Sequence, residues 1–125
     1  MVLSGTVFSG SGQGRKFIGL PWVKQQIEEK LGFIPYSGTL NIRLTKENIQ
    51  QKKLLDNSTQ IEICPPKGYC TGKLIKAQIV SLQCAIIIPQ VPNYPSDVLE
   101  VIAPWYLRER FKLTDGSEVT VAVNA

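Results

Sequence analysis

The stretch that decides the reading of this chain is FIPYSGTLNIRL, Phe33 to Leu44. It reads as a turn followed by a strand over Gly38 to Leu44. On a strand, side chains two apart point to the same face, so Thr39 and Asn41 look one way and Leu40 the other. A hydroxyl and a carboxamide are hard, neutral oxygen donors. Mg²⁺ takes such donors when substrate phosphates supply the charge. Without phosphates the simpler reading is that both residues hydrogen-bond a turn. No carboxylate neighbours them in sequence.

Working outward, the N-terminal side carries PWVKQQIEEKLG. Pro21 suits a first helical position, apolar residues recur at helical spacing, and Gly32 stops the run. Before it, Val2 to Phe8 reads as a strand. Ser9 to Gly14 (SGSGQG) reads as a flexible loop, and RKFIGL as a further strand. Gly10, Gly12 and Gly14 stand at alternate positions. Glycines let a backbone approach a ligand with its N–H groups free. Their spacing fits neither the P-loop nor the dinucleotide fingerprint. From the residues alone, a flexible hairpin is the simpler reading.

On the C-terminal side, Thr45 to Ser58 is polar, with room for a helical turn. Gln60 to Cys64 alternates as a strand does. KLIKAQIV and QCAIIIP are two β-rich runs hinged near Ser81, and VPNYP is a loop. Asp97 to Ala103 reads as a strand with Glu100 at its end. A short helix is expected from Pro104 to Phe111. Its start would favour anions, Arg108 sits a turn inside, and Trp105 and Tyr106 could wall a planar ring. Core packing explains Trp105 and Leu107 equally well, and solvation explains Glu100 and Arg108. The turn at Asp115-Gly116 leads into a last strand, Glu118 to Val123.

Many strands, two short helices and no βαβ alternation predict a mostly β fold. A closed, mostly antiparallel barrel of about six strands fits, because closure removes exposed edges. At 125 residues the chain suits a single domain, residues 1–125. No apolar run approaches the roughly 20 residues of a membrane helix, and no signal peptide is expected. The formal net charge of +4 is mild, and no Lys/Arg run suggests nucleic acid. Cys64, Cys70 and Cys84 lack zinc-site spacing and are expected to be free thiols in a reducing cytoplasm. The sequence has no histidine. That excludes Ser-His-Asp and Cys-His catalysis and histidine-ligated zinc.

Taken together, GTVFSGSGQGRKF, LGFIPYSGTLN, LEVIAPWYLR and LTDGSEV resemble the archaeal-type CTP-dependent riboflavin kinases. The likeness runs from Gly5 to about Val121. It implies a six-stranded cradle-loop barrel related to riboflavin synthase. It also implies transfer of the γ-phosphoryl group of CTP to the 5′-hydroxyl of riboflavin, giving FMN and CDP with Mg²⁺ as cofactor. By position, the resemblance assigns Gly10, Ser11, Gly12, Gln13, Gly14 and Arg15 to the nucleotide, with Trp105, Tyr106, Leu107 and Arg108 completing its pocket. Thr39 and Asn41 would hold Mg²⁺. Glu100 would be the catalytic group and a flavin contact, joined by Asn93.

Two departures stand out. Ser37 replaces a proline before G-T-L-N, and Pro92-Asn93 replace a threonine normally offered to the flavin. Family members often carry an N-terminal helix-turn-helix domain, whereas this chain begins at its first strand. The expected partners are therefore CTP, CDP, riboflavin and FMN, with neither nucleic acid nor membrane, in a cytoplasmic monomer. The competing reading is a non-catalytic nucleotide or flavin sensor, or a barrel-type regulator.

Overall fold

The computed structural model describes residues 1–68 and 71–123. In chain order the elements are β1 (Val2–Phe8), α1 (Gln13–Gly19), α2 (Pro21–Leu31), β2 (Leu40–Leu44), α3 (Lys46–Lys53) and a 3₁₀ turn (Leu54–Asn57). They continue with β3 (Ile61–Ile63), β4 (Gly72–Ile79), β5 (Leu82–Pro89), β6 (Val98–Ile102), α4 (Leu107–Arg110) and β7 (Glu118–Val123).

Six strands close a barrel in the order β4-β5-β6-β2-β1-β7, with β7 returning to β4 through Ala77↔Val123 and Gln78↔Ala122. Every pairing is antiparallel. β3 lies outside the ring, paired to the first part of β4 through Ile61↔Leu74 and Ile63↔Gly72. β3 and β7 thus share one edge of β4, each taking a different length of it.

The alternation along each strand divides the apolar residues between two cores. Leu3, Val7, Ile42, Ile75, Ile86, Leu99 and Val121 fill the barrel. Ile63, Leu74, Ala85, Ile87 and Ile102 face outward and meet Ile18, Val23, Ile27 and Leu31 from α1 and α2. Strands β5 and β6 are covered on both faces at their centres. That is why CAII and VLEVI read as unbroken buried runs rather than alternating ones.

The mostly β, six-stranded barrel matches the sequence expectation, with corrections to its trimmings. Four α-helices and a 3₁₀ turn occur among the described residues, against the two helices expected. RKFIGL is mostly helix α1, not strand. Gly12, at φ 86, turns the chain into it. Gly14, Phe17 and Ile18 then share one helical face, which sends Ile18 into the second core. The polar run after β2 becomes α3, whose start is capped by Thr45 accepting from the Asn48 N–H.

The last helix begins at Leu107, not Pro104. Residues 104 and 105 are bent, so that Trp105 packs on the barrel core while Tyr106 turns out to stack on Tyr36. The free-thiol expectation holds for Cys84, whose burial pushes its thiol up to about 12. It fails for Cys64, which is disulfide-bonded; Cys70 lies outside the described residues. Among the described residues, no helix is long and apolar enough to cross a membrane.

Candidate functional site

A cavity of about 990 Å³ lies on the outer face of the barrel, between strands β2 and β6 and the cover formed by the glycine loop and α1. Its floor is set by register. Asn41 sits directly opposite Glu100 in the β2–β6 ladder. Both point outward, because their neighbours Leu40, Ile42, Leu99 and Val101 point into the barrel. The absence of a carboxylate near Thr39 in sequence is therefore remedied in space. Thr39 Oγ1 donates a hydrogen bond of 3.0 Å to Glu100 Oε1.

Glu100 is the one buried charged residue among those described, at 8% exposure. An ionised carboxylate tolerates burial only when it is hydrogen-bonded. Thr39 serves one oxygen, and the Tyr94 hydroxyl donates to the other. Burial, and then the bond to Glu100 and its charge, push the Tyr94 phenol far above the ordinary tyrosine range. Lys52, from α3, donates to the Val98 carbonyl at 2.8 Å and lies 5.3 Å from the centre of the Tyr94 ring. Burial lowers its ammonium pKa, partly offset by Asp97 and Glu100.

The cover meets this floor without side chains between. A Cβ built on Gly14 would stand 2.5 Å from Glu100 Oε1 and 2.7 Å from Thr39 Oγ1. One built on Gly10 would stand 2.7 Å from Asn41 Nδ2. Both glycines are thus required by close approach. Gly12 differs: no described atom lies within 4 Å of a Cβ there, and its demand is the positive φ. The loop's base is held from the far side. Arg108 donates to the Phe8 carbonyl at 3.2 Å and to Asp115 at 2.8 Å, while Ser9 donates to both oxygens of Asp115. Those bonds hold the Asp115 carboxyl below the usual carboxylate range.

The cavity walls are aromatic and apolar. Tyr36 and Tyr106 stack at 4.8 Å with 11° between their planes. Phe17 and Trp22 meet edge to face at 6.2 Å, and Leu20, Ile87, Pro89 and Val91 continue their side of the cavity. The Thr71 hydroxyl, which also lines the cavity, is buried with no hydrogen-bond partner among the described residues.

Every residue singled out from the sequence lines this one cavity: Gly10 to Arg15, Thr39, Asn41, Asn93, Glu100 and Trp105 to Arg108. Glu100 lies inside β6 rather than at its end, since the strand runs on to Ile102. Leu107 is mainly a barrel-core residue. Asn93 occupies the left-handed region at φ 61, where asparagine is one of the few side chains tolerated. Sequence reasoning missed Tyr36, Tyr94, Lys52 and Asp115. The signal for Tyr94 was present: a tyrosine in a proline-flanked loop leading directly into the strand that bears Glu100.

The donor set suits a hard divalent cation under one condition. Because Thr39 Oγ1 gives its hydrogen to Glu100, its lone pairs remain free for a ligand. Asn41 adds a neutral oxygen beside it. Among the described residues, no cluster of three or more His, Cys, Asp or Glu could hold a metal. These residues therefore fit Mg²⁺ that also draws on phosphate oxygens, and do not form a self-sufficient cage.

Comparison with known proteins agrees with the geometry. Residues 7–123 match the family model named CTP-dep_RFKase, described as a domain of unknown function, DUF120. The chain is 41% identical to a riboflavin kinase of Archaeoglobus fulgidus, over 97% of this chain and 54% of that protein. It is 38% identical to a riboflavin kinase of Methanocorpusculum labreanum, over 98% of this chain and 57% of the relative. A riboflavin kinase of Pyrobaculum islandicum is 39% identical, over 97% and 59% respectively. The chain thus spans somewhat more than half the length of these curated relatives.

Proposed function

The chain belongs to the CTP-dep_RFKase family, and from that premise we propose that it is a riboflavin kinase. It transfers the γ-phosphoryl group of CTP to the 5′-hydroxyl of riboflavin, yielding FMN and CDP. The observation that carries this reading is the meeting of Thr39, Asn41 and Glu100 beneath a side-chain-free loop in one large cavity. A volume of about 990 Å³ is at the upper end for ligand sites, as two substrates meeting in one cavity require.

Phosphoryl transfer asks mainly for alignment and charge neutralisation. Thr39 and Asn41 would hold Mg²⁺, whose chemistry here is to neutralise charge on the nucleotide phosphates. The backbone N–H groups of Gln13, Gly14 and Arg15 precede the first helical bond, Lys16 N–H to Gly12 O, so no helical acceptor claims them. They and the Arg15 guanidinium would steady the triphosphate. The apolar side, Phe17, Leu20, Trp22, Ile87 and Pro89, suits a fused aromatic ring such as the flavin. The stacked Tyr36 and Tyr106, which also line the cavity, would serve the nucleotide.

Glu100 would orient the riboflavin hydroxyl. Its oxygen forms the new bond to the γ-phosphorus as the bond to the β,γ-bridging oxygen breaks, and CDP leaves with that electron pair. The hydroxyl proton passes to the Glu100 carboxylate. The test is incubation with riboflavin, Mg²⁺ and each of the four nucleoside triphosphates, with FMN measured by chromatography. FMN formed best with CTP is expected. No FMN with any nucleotide would overturn the reading in favour of a binding module.

A further inference from the structure

Glu100 has two carboxylate oxygens, and the proposed reaction uses a specific direction of one of them. A carboxylate on a strand can still rotate about its last bonds. Thr39 alone, bound to Oε1, would leave that rotation partly free. The second oxygen is fixed from another part of the chain. Pro92 and Asn93 make a turn, with Asn93 left-handed at φ 61, and the residue that follows is Tyr94. Its hydroxyl donates to Glu100 Oε2. Its ring rests within 5.3 Å of the Lys52 ammonium, which is tied to the Val98 carbonyl on the same strand as Glu100.

We propose that Tyr94 is a positioning residue for Glu100: it holds the carboxylate in the plane needed to receive the acceptor hydroxyl, with Lys52 bracing its ring. The inference rests on the kinase reading and deepens it. It gives the VPNYP loop a role that does not depend on touching the flavin. Two oxygens held by two donors from different segments define a carboxylate plane, where a single donor defines only a point. Each oxygen keeps lone pairs for the substrate hydroxyl, since a carboxylate accepts about four hydrogen bonds.

The experiment is a double-mutant cycle with Tyr94→Phe and Glu100→Gln, read twice. In steady-state FMN formation, Tyr94→Phe is expected to lower kcat about tenfold while the KM values for CTP and riboflavin stay within about twofold. In the Glu100→Gln background the same change is expected to cost almost nothing further. In urea unfolding the two substitutions are expected to be non-additive, as for residues in direct contact.

Equal kcat losses in both backgrounds would overturn the proposal. So would a raised riboflavin KM with kcat kept, which would make Tyr94 a substrate contact. Additive unfolding energies would remove the contact itself. FMN absent from the wild-type reaction would sink the kinase reading instead, and the Tyr94–Glu100 contact would then be judged by the unfolding cycle alone.

Discussion

The floor and the cover of the cavity reach the same point in opposite ways. The floor is two paired strands, and it places Asn41 and Glu100 by ladder register, with Thr39 just before β2. Their side chains are the working groups, and the backbone that carries them is locked on both edges. The cover is Ser9 to Arg15, whose contribution at Gly10 and Gly14 is the lack of a side chain. A strand pair fixes functional atoms through packing. A glycine segment lets backbone reach them, and needs its base tied down elsewhere, here through Phe8 and Ser9 to Arg108 and Asp115. The contrast teaches that substitutions should act by chemistry on the floor and by volume on the cover.

The largest expected effect lies on the floor. Thr39→Val with Asn41→Leu keeps approximate shape and removes both oxygen donors. FMN formation should be abolished in a protein that still folds cooperatively, with the unfolding midpoint lowered modestly because Glu100 loses one of its two donors. Calorimetry should find weak Mg²⁺ binding to the free wild-type protein and stronger binding with CDP present, since the protein donors are neutral. Tight Mg²⁺ binding to the free protein would break the contrast, because the floor would then need nothing from above.

The next effect lies on the cover and separates two glycines. Gly14→Ala forces a methyl group against Glu100 and Thr39. A displacement of that kind is expected to cost on the order of 10²-fold in rate. Gly12→Ala meets open space but keeps a positive φ. It should cost about 1 kcal/mol of stability and leave the rate of the folded protein nearly unchanged. Equal kinetic losses at the two positions would show that the loop matters by flexibility, not by contact.

The smallest effect is at the tie. Asp115 has its pKa depressed by Arg108 and Ser9. A depressed carboxylate contributes stability above its unfolded pKa and loses it as pH falls through its folded pKa. Asp115→Asn should therefore lower the unfolding midpoint slightly at neutral pH, and the difference from wild type should vanish in acid. The group is exposed, so added salt should shrink the effect as well. A difference that persisted in acid would mean that Asp115 acts through shape rather than charge.

Much of the barrel was legible because strands announce themselves. IEI, KLIKAQI, QCAIIIP and EVTVAV lie where alternation and β-branched residues place them. Their register was not legible. Nothing local says that Asn41 faces Glu100, since that pairing joins positions far apart and is decided by which faces must be buried. The cover misled more. Phe17-Ile18 is too short a run to separate helix from strand by period, and the helix is decided by the second core that waits for Ile18. Tyr94 was marked by its proline-flanked loop, but its role appears only once both ends of its bond to Glu100 are placed.

Strand β3, outside the barrel ring, governs how the molecule meets its own copies. Among the described strands, β3 alone has a single neighbour. An open sheet edge is a template on which another chain can add a strand. Here helix α2 occupies it. The carboxamide of Gln26 both donates to the Cys64 carbonyl and accepts from the Cys64 N–H at 3.0 Å, in the manner of a passing peptide unit. Lys30 caps the Glu62 carbonyl at 2.6 Å. Two side chains of a helix thus impersonate a strand. Exchanging them for alanine would uncover adhesive backbone, and the cost would be read as light scattering during refolding rather than as lost catalysis.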